Sequence, residues 1–200
     1  MKFLDFKHES HYEGVIAGID EAGRGPWAGP VVAAAVIFRE RKPLMGIHDS
    51  KQLKKPQREA MFEVIMQEAV VGVGICSPEE IDEHNILGAT KRAMLKAYEG
   101  LSLKPDIALV DGNQLPKLPC KMQAVVGGDG LCISIAAASI VAKVTRDRMM
   151  AEIAKEFPHY GWEHNAGYGT AKHQEGLAQF GVTPYHRRSF APIRKLLEAS

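Results

Sequence analysis

The chain has 200 residues, 46% of them hydrophobic and 24% charged, which suits one sizeable domain with its own core and excludes wholesale disorder. Twenty-five basic against 24 acidic side chains leave a formal net charge of +1, which excludes a strongly basic coat protein for nucleic acid but not nucleic-acid binding, because charge can be sorted by position. No apolar run approaches the roughly 20 residues of a membrane span, and the polar start MKFLDFKHESHYEG lacks the apolar centre of a secretion signal.

A short apolar strand is predicted over 14–19, ending at Asp20 and Glu21. A Gly/Pro-rich turn over 22–26 leads into a second strand over 30–38. From 56 to 70 the residues Met61, Val64, Ile65 and Ala69 recur at helical spacing, and a third strand follows over 70–76. Ser77-Pro78 caps a short acidic helix, and a further helix runs over 86–98 to stop at Gly100. A buried-type strand over 106–110 delivers Asp111 at its end, and a fifth strand over 121–126 is followed by Gly127, Gly128, Asp129 and Gly130. A long helix over 134–156 starts with small side chains that let it sit close to a sheet. A Gly-rich loop, a helix opened by Thr170 and a basic tail complete the chain. Strands with interleaved and then clustered helices make an α/β layered domain. Three scattered cysteines, Cys76, Cys120 and Cys132, offer neither a zinc pair nor a disulfide framework, so a reduced, cytoplasmic protein is expected.

Four carboxylates stand where apolar runs end: Asp20 and Glu21 after one strand, Asp111 after another, Asp129 behind a double glycine. In an open α/β sheet such strand ends meet at one edge, where ligands bind. Four carboxylates gathered there repel one another unless divalent cations neutralise them, and hard oxygen donors suit Mg²⁺ or Mn²⁺. Two such ions can activate water on one side of a phosphate and stabilise the leaving oxygen on the other. Unrelated turn aspartates give the same spacing, since Asp-Gly is a common turn pair. The glycine-rich loop after the first strand also raises a phosphate-binding loop, but the Gly-Lys-Ser/Thr ending is missing.

The words around the carboxylates decide between these readings. GIDEAGRGPWAGPVVAAAV (18–36), DSKQL (49–53), VDGN (110–113), GGDG (127–130), IAAASIVAKVTRD (135–147), GYGT (167–170) and HRRSF (186–190) occur in order. Together they closely resemble the ribonuclease HII family, the type 2 ribonucleases H, from about residue 14 to residue 193. The resemblance implies a ribonuclease H-like mixed sheet flanked by helices, in one domain with a catalytic core over about 14–160 and a C-terminal helical extension over 161–200 that helps hold the duplex. It implies cleavage of RNA in RNA·DNA hybrids and nicking 5′ to a ribonucleotide embedded in duplex DNA, leaving 3′-hydroxyl and 5′-phosphate ends, by a monomer using Mn²⁺ or Mg²⁺. By motif position Asp20, Glu21, Asp111 and Asp129 match the metal-binding catalytic carboxylates. Because adjacent residues of a strand face opposite ways, Asp20 and Glu21 cannot share one face unless the backbone turns.

The resemblance further assigns Gly23, Arg24 and Gly25 to the loop that reads the ribose 2′-hydroxyl, and Tyr168 to packing against the sugar at the RNA–DNA junction. Ser139, Lys51, Lys143, Arg146 and Arg187 are further candidates for substrate binding. Residues 39–58 carry seven basic and two acidic side chains, Lys54 and Lys55 among them, and Lys143 and Arg146 share a helix face. These cations, with Arg187 and Arg188, are expected to hold phosphates and to make binding salt-sensitive. Asp49 is expected to orient Ser50 and Lys51 and not to bind metal. His8 and His11 are expected at the surface, and His164 and His173 flank the Tyr168 loop without an identifiable partner. Trp27 and Ala166 depart from the family pattern, which is commonly aliphatic and lysine there; the first touches packing behind the loop, and the second removes a phosphate contact.

Overall fold

Small and β-branched residues build the middle of a five-stranded sheet. In the computed structural model, which describes residues 4–42, 47 and 53–199, β1 (Ile16–Ala22) pairs antiparallel with β2 (Val31–Phe38), and β2 with β3 (Ala69–Cys76). On its other side β1 pairs parallel with β4 (Ile107–Asp111), and β4 with β5 (Lys121–Val125). The order is β3-β2-β1-β4-β5. This is the mixed α/β sheet flanked by helices that the sequence predicts.

Residues Val31 to Val36 of β2 are all fully buried, since helices cover both faces and a doubly covered strand loses its polar alternation. The face carrying Ala17, Ile19, Ala33 and Ala35 packs on α2 (Pro78–Glu99). The face carrying Val32, Ala34 and Val36 packs on α1 (Lys55–Glu68) and α3 (Ile133–Glu156). A Cβ on Gly18 would lie 2.1 Å from the Ser134 backbone, so only glycine lets the first turn of α3 rest on β1. That turn is capped from a distance by Glu9, whose Oε1 accepts from the Ser134 N–H and Oγ at 2.9 Å each and from Cys132 Sγ at 3.1 Å.

Three elements differ from the sequence reading. β1 does not stop at Ile19 but carries Asp20 and Glu21 within it, because β2 continues the ladder opposite them through Ala34 and Ala33. The acidic helix and its successor form one bent element: Asn85, at φ 56°, breaks the helix, and its Oδ1 caps the next segment by accepting from the N–H groups of Leu87 and Gly88. The basic tail ends in a helix, α6 (Ala191–Glu198), which buries Ile193. Ile193 joins Trp162 of α4 (Trp162–Asn165), Leu177 of α5 (Ala171–Phe180), and Met150 and Ala28 in a C-terminal cluster. Ala28, in the β1–β2 connection, bridges to His186, so the connection is one wall of that cluster. Among the described residues no helix is long and apolar enough to cross a membrane. Asp49, Ser50 and Lys51 lie outside the described residues.

Candidate active site

The parallel pairing of β1 with β4 ends at Ile19 and Val110, and the next residue on each strand is a carboxylate, Asp20 and Asp111. Strand alternation turns Ile19 toward α2, so Asp20 faces α3, where the Ser139 hydroxyl hydrogen-bonds it. Glu21 faces the other way and pairs with Arg24 at 3.2 Å. The backbone stays extended, and the two carboxylates take opposite sides of the strand. Both still line one cleft of about 320 Å³ together with Asp111, because the sheet ends there and leaves its edge open.

Asp129 reaches this edge through a turn. Asp111 Oδ1 accepts from the Gly128 N–H at 2.7 Å, which docks the short 3₁₀ turn Gly128–Gly130 on the end of β4. Asp129 is buried on that turn and is not among the residues lining the cleft. Asp20, 5% exposed, has its carboxyl pushed well above the usual range, by burial first and then by the charges of Glu21 and Asp111, against the hydrogen bond from Ser139. Burial also raises Glu21, with Arg24 opposing it. Buried, mutually repelling carboxylate oxygens are the donor set a hard divalent cation satisfies. Among the described residues no three such side chains stand preassembled around one point. Asp20, Glu21 and Asp111, with Asp129 beside them, are the side chains that would hold such a cation, and Glu21 is paired with Arg24.

The loop after β1 forms the facing wall. Gly23, Arg24 and Gly25 line the cleft with Tyr168, whose ring lies 3.3 Å from where a Gly25 Cβ would be. Gly23 has φ +96°, and a Cβ there would strike Arg146 Nε at 2.0 Å, so the position admits only glycine. The two loops are tied by bonds from the N–H groups of Trp27 and Ala28 to the Gly167 carbonyl. Trp27 lies flat against Gly169, in the place packing behind the loop required. Ala166, at φ 48°, offers its carbonyl to Arg146.

The predicted phosphate holders divide. Arg146 and Arg187, 1% and 0% exposed, turn their guanidinium groups inward to the carbonyls of Gly23, Arg24, Ala28, Gly29, Pro30 and Ala166, although Arg146 also borders the carboxylate cleft. Sharing a helix face with Lys143 said nothing about depth, because the β1–β2 connection folds over the second half of that face. Lys143 lines the cleft, paired to Asp147 at 2.7 Å. Lys54 and Lys55 are exposed, and Lys51 lies outside the described residues. Arg39 and Arg41 line a cavity at the opposite end of β1, near Gly14, so the basic stretch is not one surface. Its last member, Arg58, lines the carboxylate cleft; only its place inside that stretch could have signalled it. Backbone N–H groups of Arg188 and Ser189 bind Asp82. His164 is exposed, and His173, fully buried, bonds His186. His11 is exposed, whereas His8 is half-buried, with its Nε2 lacking a partner among the described residues.

The family model described as Ribonuclease HII matches residues 17–193. A Ribonuclease HII of Paramagnetospirillum magneticum is 53% identical over 197 residues, covering 96% of this chain and 98% of its own. Another, from Wolbachia pipientis of Culex pipiens, is 51% identical over 197 residues, covering 98% and 100%. The crystal structure of ribonuclease H2 from Pyrococcus horikoshii superposes with a TM-score of 0.79 at 29% identity, covering 92% of this chain and 98% of that one.

Proposed function

This chain belongs to the ribonuclease HII family and is a metal-dependent endoribonuclease of the ribonuclease H class, and from that premise we propose that it nicks duplex DNA 5′ to an embedded ribonucleotide and cuts the RNA of RNA·DNA hybrids. The observation that carries the reading is the shared cleft: Asp20, Glu21 and Asp111 on one wall, the glycine loop and Tyr168 on the other. A carboxylate edge is general to phosphodiester hydrolysis, whereas a backbone-lined loop beside it suits recognition of a sugar hydroxyl.

Asp20, Glu21, Asp111 and Asp129 would hold Mg²⁺ or Mn²⁺, which when bound in a pair supply Lewis-acid stabilisation and an activated water. Ser139 fixes the Asp20 carboxylate toward the cleft. Arg24 holds the Glu21 carboxylate at the cleft wall. Tyr168, 49% exposed, offers a ring face to the sugar, and Lys143 and Arg58 offer charge to the flanking phosphates. Hydrolysis would leave 3′-hydroxyl and 5′-phosphate ends and needs no side-chain nucleophile. The setting proposed is a cytoplasmic monomer that removes ribonucleotides from DNA. Matched duplexes that are all-DNA, all-RNA, hybrid, or DNA with one ribonucleotide test it in Mg²⁺ and in Mn²⁺. Nicking of the last on the 5′ side of the ribonucleotide is expected, and an intact strand would refute the assignment.

A further inference from the structure

Arg187 is a fully buried ion, and among the described residues no carboxylate lies within salt-bridge distance of it, the charge of Asp82 acting only from farther away. Its Nε donates to the Gly29 carbonyl at 2.9 Å, Nη1 to the Arg24 carbonyl at 3.0 Å, and Nη2 to the carbonyls of Gly23 and Pro30. Pro30 O also accepts from Arg146 Nε at 2.8 Å. Burying a guanidinium on carbonyls alone is expensive when apolar packing would fill the same space. The arrangement therefore calls for a reason beyond stability, and the reason lies in what it does to the peptide planes of the loop.

A trans peptide is planar, with its C=O and N–H pointing opposite ways, and the described chain has no cis bonds. With the Gly23 carbonyl turned inward to Arg187, the Arg24 N–H of the same plane turns outward. With the Arg24 carbonyl turned inward, so does the Gly25 N–H. Outward here is the cleft that Gly23, Arg24 and Gly25 line. Among the described residues neither N–H donates to a protein acceptor.

We propose that Arg187 is a positioning residue for substrate selection: by holding two successive carbonyls inward it makes the loop a hydrogen-bond donor toward a ribose 2′-oxygen. A deoxyribose sugar would leave both donors unpaired as the duplex closes over them, so the device rejects DNA as well as accepting RNA. A guanidinium fork holds the carbonyls of Gly23, Arg24 and Gly29 from separate nitrogens in one rigid plane, whereas a lysine ammonium is a compact point of charge on a flexible stem and cannot fix their relative orientation in that way. The inference rests on the proposed recognition of embedded ribonucleotides and specifies how it is achieved.

The test compares binding of one duplex carrying a single ribonucleotide with its all-DNA counterpart, with Ca²⁺ replacing Mg²⁺ so that the strand stays intact. Wild-type protein is expected to prefer the ribonucleotide by about tenfold or more, the worth of one to two net hydrogen bonds. In Arg187→Lys that preference should collapse toward parity while all-DNA affinity holds. A retained preference overturns the positioning role alone, as does an equal loss of affinity for both duplexes. A wild type with no preference overturns the function and the inference with it. Should Arg187→Lys not fold, amide spectra of ¹⁵N-labelled wild-type protein decide: the Arg24 and Gly25 resonances must shift with the ribonucleotide duplex and not with all-DNA, and equal spectra overturn the proposal.

Discussion

His173 Nε2 stands 2.9 Å from His186 Nε2 in a pair with almost no exposure, and their outer partners fix which nitrogen holds each proton. The Tyr168 carbonyl can only accept, so His173 Nδ1 donates to it. The Thr183 N–H can only donate, so His186 Nδ1 accepts and its Nε2–H points at His173. The chain of bonds thus runs one way, from His186 through His173 to the backbone of Tyr168. A proton added to either ring sets donor against donor.

This pair predicts acid lability. Burial, then the His173 charge, pushes His186 down to about 3 from an ordinary 6.5, and burial lowers His173 as well. The rings facing them are Trp27, Tyr160 and Trp162, none of which can neutralise an imidazolium. Below the unfolded value of about 6.5 the unfolded chain takes up protons that the folded chain refuses. The contribution is full above that pH and falls as pH drops toward 3, by on the order of 2 kcal/mol for His186 between pH 7 and 5, with His173 adding in the same direction. Denaturant unfolding across that range measures it. A His173→Gln/His186→Gln double variant should give a flatter curve, and an equally steep one would refute the assignment.

On the proposed function, Asp20 sets activity against stability. Its buried charge faces Glu21 and Asp111, so Asp20→Asn should raise the melting temperature in EDTA, by roughly 2–4 °C for each kcal/mol of repulsion relieved. Cleavage should fall by about 100-fold or more, the scale of losing one preorganised electrostatic group. Adding Mn²⁺ should stabilise the wild type by ligand linkage and leave the variant much less changed. A variant less stable than wild type in EDTA would show that the carboxylate serves the fold.

Much of this was legible beforehand for a physical reason: strands, helices and strand-end carboxylates follow from local periodicity and from ordered motif words. Asp111, at the end of β4, is the clearest case. Depth was not legible. Arg146 and Arg187 carry the same charge as Lys143, and their burial is decided by a loop that returns from more than a hundred residues away in sequence. Glu9 sits in a polar segment yet caps α3 across 125 residues. The inward arginines also sharpen the charge arithmetic, since two of the cations in the +1 sum are internal braces and the outward positive charge is left to the lysines and the other arginines, among them Arg39, Arg41, Arg188 and Arg194.

On the proposed function, Tyr168 serves recognition and not folding. Its ring is half exposed and lies against Gly25, so Tyr168→Ala should change stability by no more than about 0.5 kcal/mol. Nicking beside a single ribonucleotide should drop about 5- to 100-fold, the range for losing a stacking ring. Tyr168→Phe should retain most activity, since the face is kept. Unchanged nicking by Tyr168→Ala would remove the residue from the site.

Lys143 tests where the phosphate contacts lie. It lines the cleft and is paired to Asp147 one turn along α3, a partner that holds the ammonium at the cleft wall. Binding should fall steeply between low and moderate salt, as counterions leave the duplex. Lys143→Gln should weaken hybrid, ribonucleotide-bearing and all-DNA duplexes alike, and reduce the slope of log affinity against log salt by about 1. Arg146→Gln should instead disturb the loops it braces through Ala28, Pro30 and Ala166, lowering stability and ribonucleotide preference with little change in slope. Titrations at several salt concentrations distinguish the two residues, and equal slopes for wild type and Lys143→Gln would take Lys143 off the phosphate path.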